Sequence, residues 1–265
     1  MPEAPRFNAT EPDFERIHAV GPGLYTFVTR FSFEGKAPVQ NRSVIVHRSS
    51  PKGRGELVII NPAELTPTLL EQLRQLESQL AADVKSLISP GDWHYLFIGD
   101  YVKAFPLAEA WVCPGRVPGK NPAFPFKLID VAGGTLKQWA PELLCRPVEG
   151  LKDFSSPDPK MPRHELFFFH PASEALIAGD VLWYVKGELE PHHKHLGIQK
   201  GVLSFHFAQW KMVLDAKAVR RSFDEALKWD FKHFITIHGG PGNMLENEAK
   251  QQLGASLDWM NTGPS

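Results

Sequence analysis

Short apolar runs, each cut off by glycine or proline, constrain this chain more than any other feature of its sequence. Residues 23–28, 43–47 and 56–61 are rich in β-branched and aromatic residues and bounded by turn formers, as strands are. The last two flank a polar, glycine-containing turn at 49–55 and read as a hairpin. A helix follows: Thr66 can cap it, Pro67 suits its first position, and Leu69, Leu70, Leu73, Leu76 and Leu80 recur at three and four. Glu71, Gln72, Arg74, Gln75 and Gln79 fall on the opposite face.

The alternation continues downstream. Residues 84–88 read as a buried strand, 100–105 as a helix stopped at Pro106, and 110–113 as a strand stopped at Pro114. The proline-dense stretch 114–163 is read as mostly loop, with a short strand at 126–131 and an exposed loop at 155–162. Residues 164–170 and 174–180 form two strands around the turn Pro171-Ala172-Ser173, and Asp215 caps a helix with Val219, Phe223, Ala226 and Leu227 inward. A strand at 233–238 runs into Gly239-Gly240-Pro241-Gly242, and Asn243 with Glu246 resembles a capping box for the last helix. Strands alternating with helices, plus hairpins, predict a layered α/β or α+β protein, read here as a single domain over 1–265.

Composition narrows the function. The 265 residues are 43% hydrophobic and 22% charged, which fits a globular chain. Twenty-nine basic against thirty acidic residues leave a net charge of -1, so bulk charge draws the chain to neither nucleic acid nor an anionic membrane. Cys113 and Cys145 are too few for a disulfide framework or a four-cysteine zinc site, and they are expected to be buried or inert. There is no apolar run of the roughly 20 residues a membrane helix needs, and residues 1–16 lack a signal-peptide apolar stretch. The expectation is a soluble cytoplasmic protein acting on a small-molecule substrate. Gly-x-Ser-x-Gly, a phosphate-binding P-loop and Gly-x-Gly-x-x-Gly do not occur, which argues against a serine hydrolase elbow and the common nucleotide folds.

Three metal-competent residues stand where strands end. His94 closes the loop after 84–88, Asp180 follows Ala178-Gly179, and His238 ends the 233–238 run. His164 opens a strand after a long loop. Taken singly, each has an ordinary reading as a loop histidine or a turn aspartate. Taken in order, they resemble the metallo-β-lactamase superfamily over most of the chain. Arg163-His164 is similar to that family's Gly-His, Ala178-Gly179-Asp180 to its Thr-Gly-Asp, and His238-Gly239-Gly240 to its final His-Gly.

The resemblance implies an α+β, four-layer αβ/βα sandwich and a metal site, but the family's His-x-His-x-Asp-His motif is degenerate. With His94 as its last histidine, Ser89 and Gly91 take the places of the first two and Trp93 that of the aspartate. The family's first site then keeps His164 and the bridging Asp180, and its second keeps His94, Asp180 and His238. A catalytic zinc uses three protein ligands and an open position, which the second set supplies and the first does not. The expectation is one divalent transition metal, zinc first, with iron, manganese or nickel as alternatives. Asp92, two residues from His94, is a replacement carboxylate, and the site is dinuclear only if it joins; in a shifted register, Asp92 and His94 would take the second-His and Asp positions. His164, released from metal duty, is a candidate general base, with Trp93 and Tyr95 lining the entrance.

This reading is a metal-dependent hydrolase of a small ester, lactone, thioester or related compound. Its competitor is a non-catalytic protein that keeps the fold to bind a ligand or partner; redox chemistry at a di-iron centre, with a flavin partner, is a more remote third. A second cluster, His192, His193 and His195, reads as a solvated loop or pocket rim. His206 reads as part of a packed aromatic segment, and Gly239 to Gly242 as a strand-to-helix turn or an anion cradle at the last helix.

Overall fold

The computed structural model describes residues 6–32, 38–50, 53–132, 134–189, 193–194, 197–203, 205 and 211–257. The chain divides into two compact units, Met1–Ile129 with Ile237–Gly242, and Asp130–Thr236 with Asn243–Ser265.

The first unit is built on a seven-stranded sheet in sequential order: β1 (His18–Gly21), β2 (Leu24–Ser32), β3 (Pro38–Arg48), β4 (Gly55–Ile60), β5 (Ala82–Ile88), β6 (Glu109–Val112) and β7 (Lys127–Leu128). β1 to β4 form an antiparallel meander, and β4 to β7 run parallel. The predicted hairpin is β3 with β4, Val44 facing Ile60. Both predicted helices are present, α1 (Pro67–Gln79) and α2 (Ile98–Ala104), with a short α3 (Arg116–Lys120) that the proline-rich sequence does not announce.

α1 begins where expected because the Thr66 hydroxyl accepts from Leu69 N at 3.3 Å. It buries Leu69, Leu73 and Leu76 against Leu57, Ile59, Val84 and Leu87. Glu77 is buried beside them without loss, because its carboxylate accepts from Val84 N at 2.8 Å and pairs with Arg74 at 2.8 Å.

The second unit carries a five-stranded sheet in the order β12 (Met244–Leu245), β11 (His233–Thr236), β10 (Ala175–Ala178), β9 (Leu166–His170) and β8 (Leu144–Pro147). β9 and β10 are the predicted hairpin, closed by a single 3-10 turn over Pro171–Ser173. α4 (Ala216–Ala226) starts at Asp215, whose Oδ1 accepts from Lys217 N at 2.9 Å and Ala218 N at 3.1 Å. Its Phe223 meets Phe167 and Phe205 edge-on, each with ring centroids 5.0 Å away, in a core shared with Leu176, Phe234 and Leu253.

One expectation fails at the C-terminal end. The last helix, α5 (Ala249–Ser256), starts six residues after Asn243, and the intervening Met244–Leu245 pairs with β11. Asn243 is not the cap of α5, which begins after Glu248; its Oδ1 accepts from Lys186 N at 2.9 Å and Gly187 N at 3.2 Å. The glycine turn at 239–242 therefore does not lie at a helix N-terminus and has no dipole with which to cradle an anion. Among the described residues, no helix is long and apolar enough to cross a membrane.

Candidate functional site

In the first unit the loop after β5 and the turn at 237–242 bring two of the expected ligands together. The rings of His94 and His238 lie nearly parallel, 28° apart in plane and 5.3 Å between centroids. Each is half-buried. Two imidazoles at this separation can offer nitrogen ligands to one ion between their edges, and neutral imidazole is a common ligand for zinc.

The backbone explains why His238 is held there. Asn41, in β3, bridges His238 in antiparallel fashion, and Arg42 N donates to Ile237 O at 2.7 Å. The Arg42 side chain runs beneath the same turn and donates to Gly240 O at 2.8 Å, while its Nη2 and Nε bind Glu11 at 2.7 and 3.1 Å. Both side chains of that ion pair are fully buried. Gly239 and Gly242 supply positive φ values of 107° and 74°, which a β-carbon would oppose. At the end of β4, Asn61 (φ 56°) donates from Nδ2 to Asn41 Oδ1 and to Arg42 O, both at 2.7 Å, tying the strand end to the residues that seat His238.

The His94 loop uses the substituted motif positions for structure. The buried Ser89 hydroxyl lies 2.9 Å from Gly91 O and 3.0 Å from His94 O, so it closes the loop on itself. Gly91 has no side chain to offer, and Trp93 lies under the Arg116 guanidinium at 4.0 Å. Asp92 is buried, close enough to Gly115 that a β-carbon there would stand 3.8 Å from its Oδ1. Tyr95 is half-buried, its carbonyl accepting from Asn121 Nδ2 at 2.9 Å.

In the second unit, Asp180 follows β10 by two residues and is also half-buried. Its carboxylate receives the Arg163 guanidinium, and its carbonyl accepts from Trp183 Nε1 at 3.1 Å. Arg163 also binds Glu165 through Nη2 at 2.7 Å and Nε at 3.1 Å. His164, between them in sequence, is half-buried ahead of β9. The reach of Arg163 to Asp180 is the feature that sequence reasoning missed: the pattern aligned Arg163 with a glycine and gave it no work.

The second histidine cluster departs from its expected exposure at one position. His193 is 4% exposed, packed edge-on against Trp183 with centroids 5.7 Å apart. His192, His195 and His206 lie outside the described residues. Cys113 and Cys145 are buried and not joined in a disulfide, and burial pushes the Cys145 thiol well up, in keeping with an inert Cys145.

No protein-family model matches the chain. No curated protein matches it either. Solved structures do resemble it. A metallo-β-lactamase from Hirschia baltica is 13% identical, with 89% of this chain and 94% of that one covered at a TM-score of 0.59. The FIM-1 metallo-β-lactamase from Pseudomonas aeruginosa, in a mono-zinc form, is 13% identical over 97% of this chain and 100% of its own, also at 0.59. The metal-soaked Flv1 flavodiiron core from Synechocystis is 12% identical over 98% of this chain and 62% of its own, at 0.58. At these identities the likeness establishes the fold. The chain has the mixed α and β metallo-β-lactamase fold, with two sheets, in a divergent sequence.

Proposed function

We propose that this chain is a metal-dependent hydrolase which holds one divalent transition metal, zinc foremost, through His94 and His238, with Asp180 as the third ligand that the sequence pattern implies. The observation that carries the reading is the near-parallel His94–His238 pair, with the turn after His238 held by the buried Arg42–Glu11 ion pair. Two imidazoles and a carboxylate are a donor set suited to zinc, leaving a position open to a small-molecule substrate. The chemistry such an ion supplies when bound is Lewis acidity, which draws the pKa of a water toward about 7 and polarises a carbonyl oxygen.

The protein's own residues divide the remaining work. His238 and His94 present ring nitrogens in fixed orientation, so little reorganisation is needed on binding. We assign proton transfer to His164, with Asp92, buried in the His94 loop, as an assisting carboxylate. Trp93, pinned by Arg116, narrows access and keeps bulk water away. The proposed substrates are small esters, lactones, thioesters or related compounds, and the proposed setting is cytoplasmic, which suits a chain with only two cysteines.

The competing reading is a ligand-binding protein without turnover, and the Arg163–Asp180 ion pair is the observation that favours it, since it engages an expected ligand with an internal cation. A panel of p-nitrophenyl esters, homoserine lactones and acyl thioesters decides between them. Turnover that disappears with chelator, returns with zinc and is lost in His238→Ala supports the hydrolase. Binding of these compounds without turnover, in zinc-loaded protein, supports the alternative.

A further inference from the structure

Three groups that the family's first metal site would need are missing, and a fourth, Asp180, is already paired. Ser89 shares its hydroxyl between two carbonyls of its own loop, Gly91 has no side chain, and Trp93 offers only an indole N–H, a donor that cannot ligate. In the second unit, Asp180 already faces a cation. Arg163 Nη2 contacts both Asp180 Oδ2 and Glu165 Oε1, and the side chains of Arg163 and Glu165 are 2% and 0% exposed. The backbone that carries both side chains is anchored, because Arg163 N donates to Leu151 O at 3.2 Å and Val148 N to Glu165 O at 2.8 Å.

We propose that Arg163 is a built-in cation standing where a second metal ion would act on Asp180, so that the chain takes up one metal and excludes another. This rests on the one-metal reading above. The charges support it: one guanidinium against two carboxylates leaves a net -1 around Asp180, enough to favour a single ion and short of what two dications need. Guanidinium does not lose its proton at any pH a protein survives, so the substitution is permanent rather than switchable. A second dication on Asp180 would also meet that charge at contact distance, where water cannot screen it.

Removing the guanidinium should therefore create a metal site. Arg163→Ala frees Asp180 and Glu165, two carboxylates with His164 adjacent in sequence, and Arg163→Lys restores a cation. Zinc per folded chain is counted by native mass spectrometry and by elemental analysis after gel filtration from about tenfold excess zinc, with circular dichroism to verify folding. The expected counts are one for the wild type, two for Arg163→Ala and one for Arg163→Lys. Two zincs on the wild type overturn the proposal without any variant, should Arg163→Ala fail to fold. A folded Arg163→Ala that still binds one also overturns it. If the wild type binds none and Arg163→Ala binds one, the site at His94 and His238 fails while the exclusion of metal by Arg163 stands. If neither binds zinc, both readings fall.

Discussion

The imidazoles of His94 and His238 lie 28° from parallel with centroids 5.3 Å apart, although 144 positions of sequence, 238 less 94, separate them. The strand framework accounts for the meeting. β5 delivers the chain to the loop that carries His94, and β3 presents Asn41 and Arg42 as a backbone rail on which the turn at 237–242 is laid.

That rail makes Arg42 a positioning residue. Arg42→Met would leave the fully buried Glu11 carboxyl without its partner, at a cost of about 3–5 kcal/mol in urea unfolding. It also frees Gly240 O, so zinc affinity should fall by about 10–100-fold, the usual effect of losing an outer-sphere support. Chelator competition on the folded variant checks this. Unchanged affinity would reduce Arg42 to a purely structural role.

His170 makes stability sensitive to acid. Burial holds its pKa down to about 4 against an ordinary 6.5, with the Glu142 carboxylate pulling weakly the other way. The unfolded chain therefore binds the proton first as pH falls. Stability is fully present above 6.5, is lost progressively between 6.5 and 4, and levels off below 4. The loss amounts to about 3 kcal/mol, and His170→Gln should flatten that part of the profile. Chemical denaturation at stepped pH measures it; an equally steep decline in the variant would place the acid sensitivity elsewhere.

Capping offers a control away from the site. Asp215→Ala removes the acceptor of two backbone N–H groups at the start of α4 and should cost about 1 kcal/mol, with zinc binding unaffected. A variant that lost metal affinity here would show that affinity tracks stability in general, which would weaken the inference from Arg42.

Much of this was legible from residues alone, and the reasons differ by element. α1 and α4 are announced by side chains that act locally, Thr66 and Asp215 with their leucine or phenylalanine stripes, and both helices start where the caps predict. β3 was seen only from Ser43, because Asn41 and Arg42 break the apolar pattern; they are buried all the same, paid for by partners remote in sequence. β8 was missed because Cys145-Arg146-Pro147 has no strand signature, and the buried Arg146 pairs with Glu225 on α4. Asn243 and Glu246 imitate a capping box, yet Asn243 serves Lys186 and Gly187 in another loop, a use no local motif encodes.

The same division holds at the site. His94, Asp180 and His238 were found because polar residues at strand ends are conspicuous against apolar runs. Arg163 was not, because a long side chain can reach any of several neighbours and only the β9–β10 hairpin determines that it reaches Asp180.

The central claim is that His94 and His238 hold a metal ion. Isothermal titration of zinc into metal-free wild type and into the His94→Ala/His238→Ala double variant tests it most directly. The account predicts a one-site isotherm for the wild type and none for the double variant, with the variant's fold intact by circular dichroism. No binding to the wild type, or the same isotherm for both proteins, would contradict it.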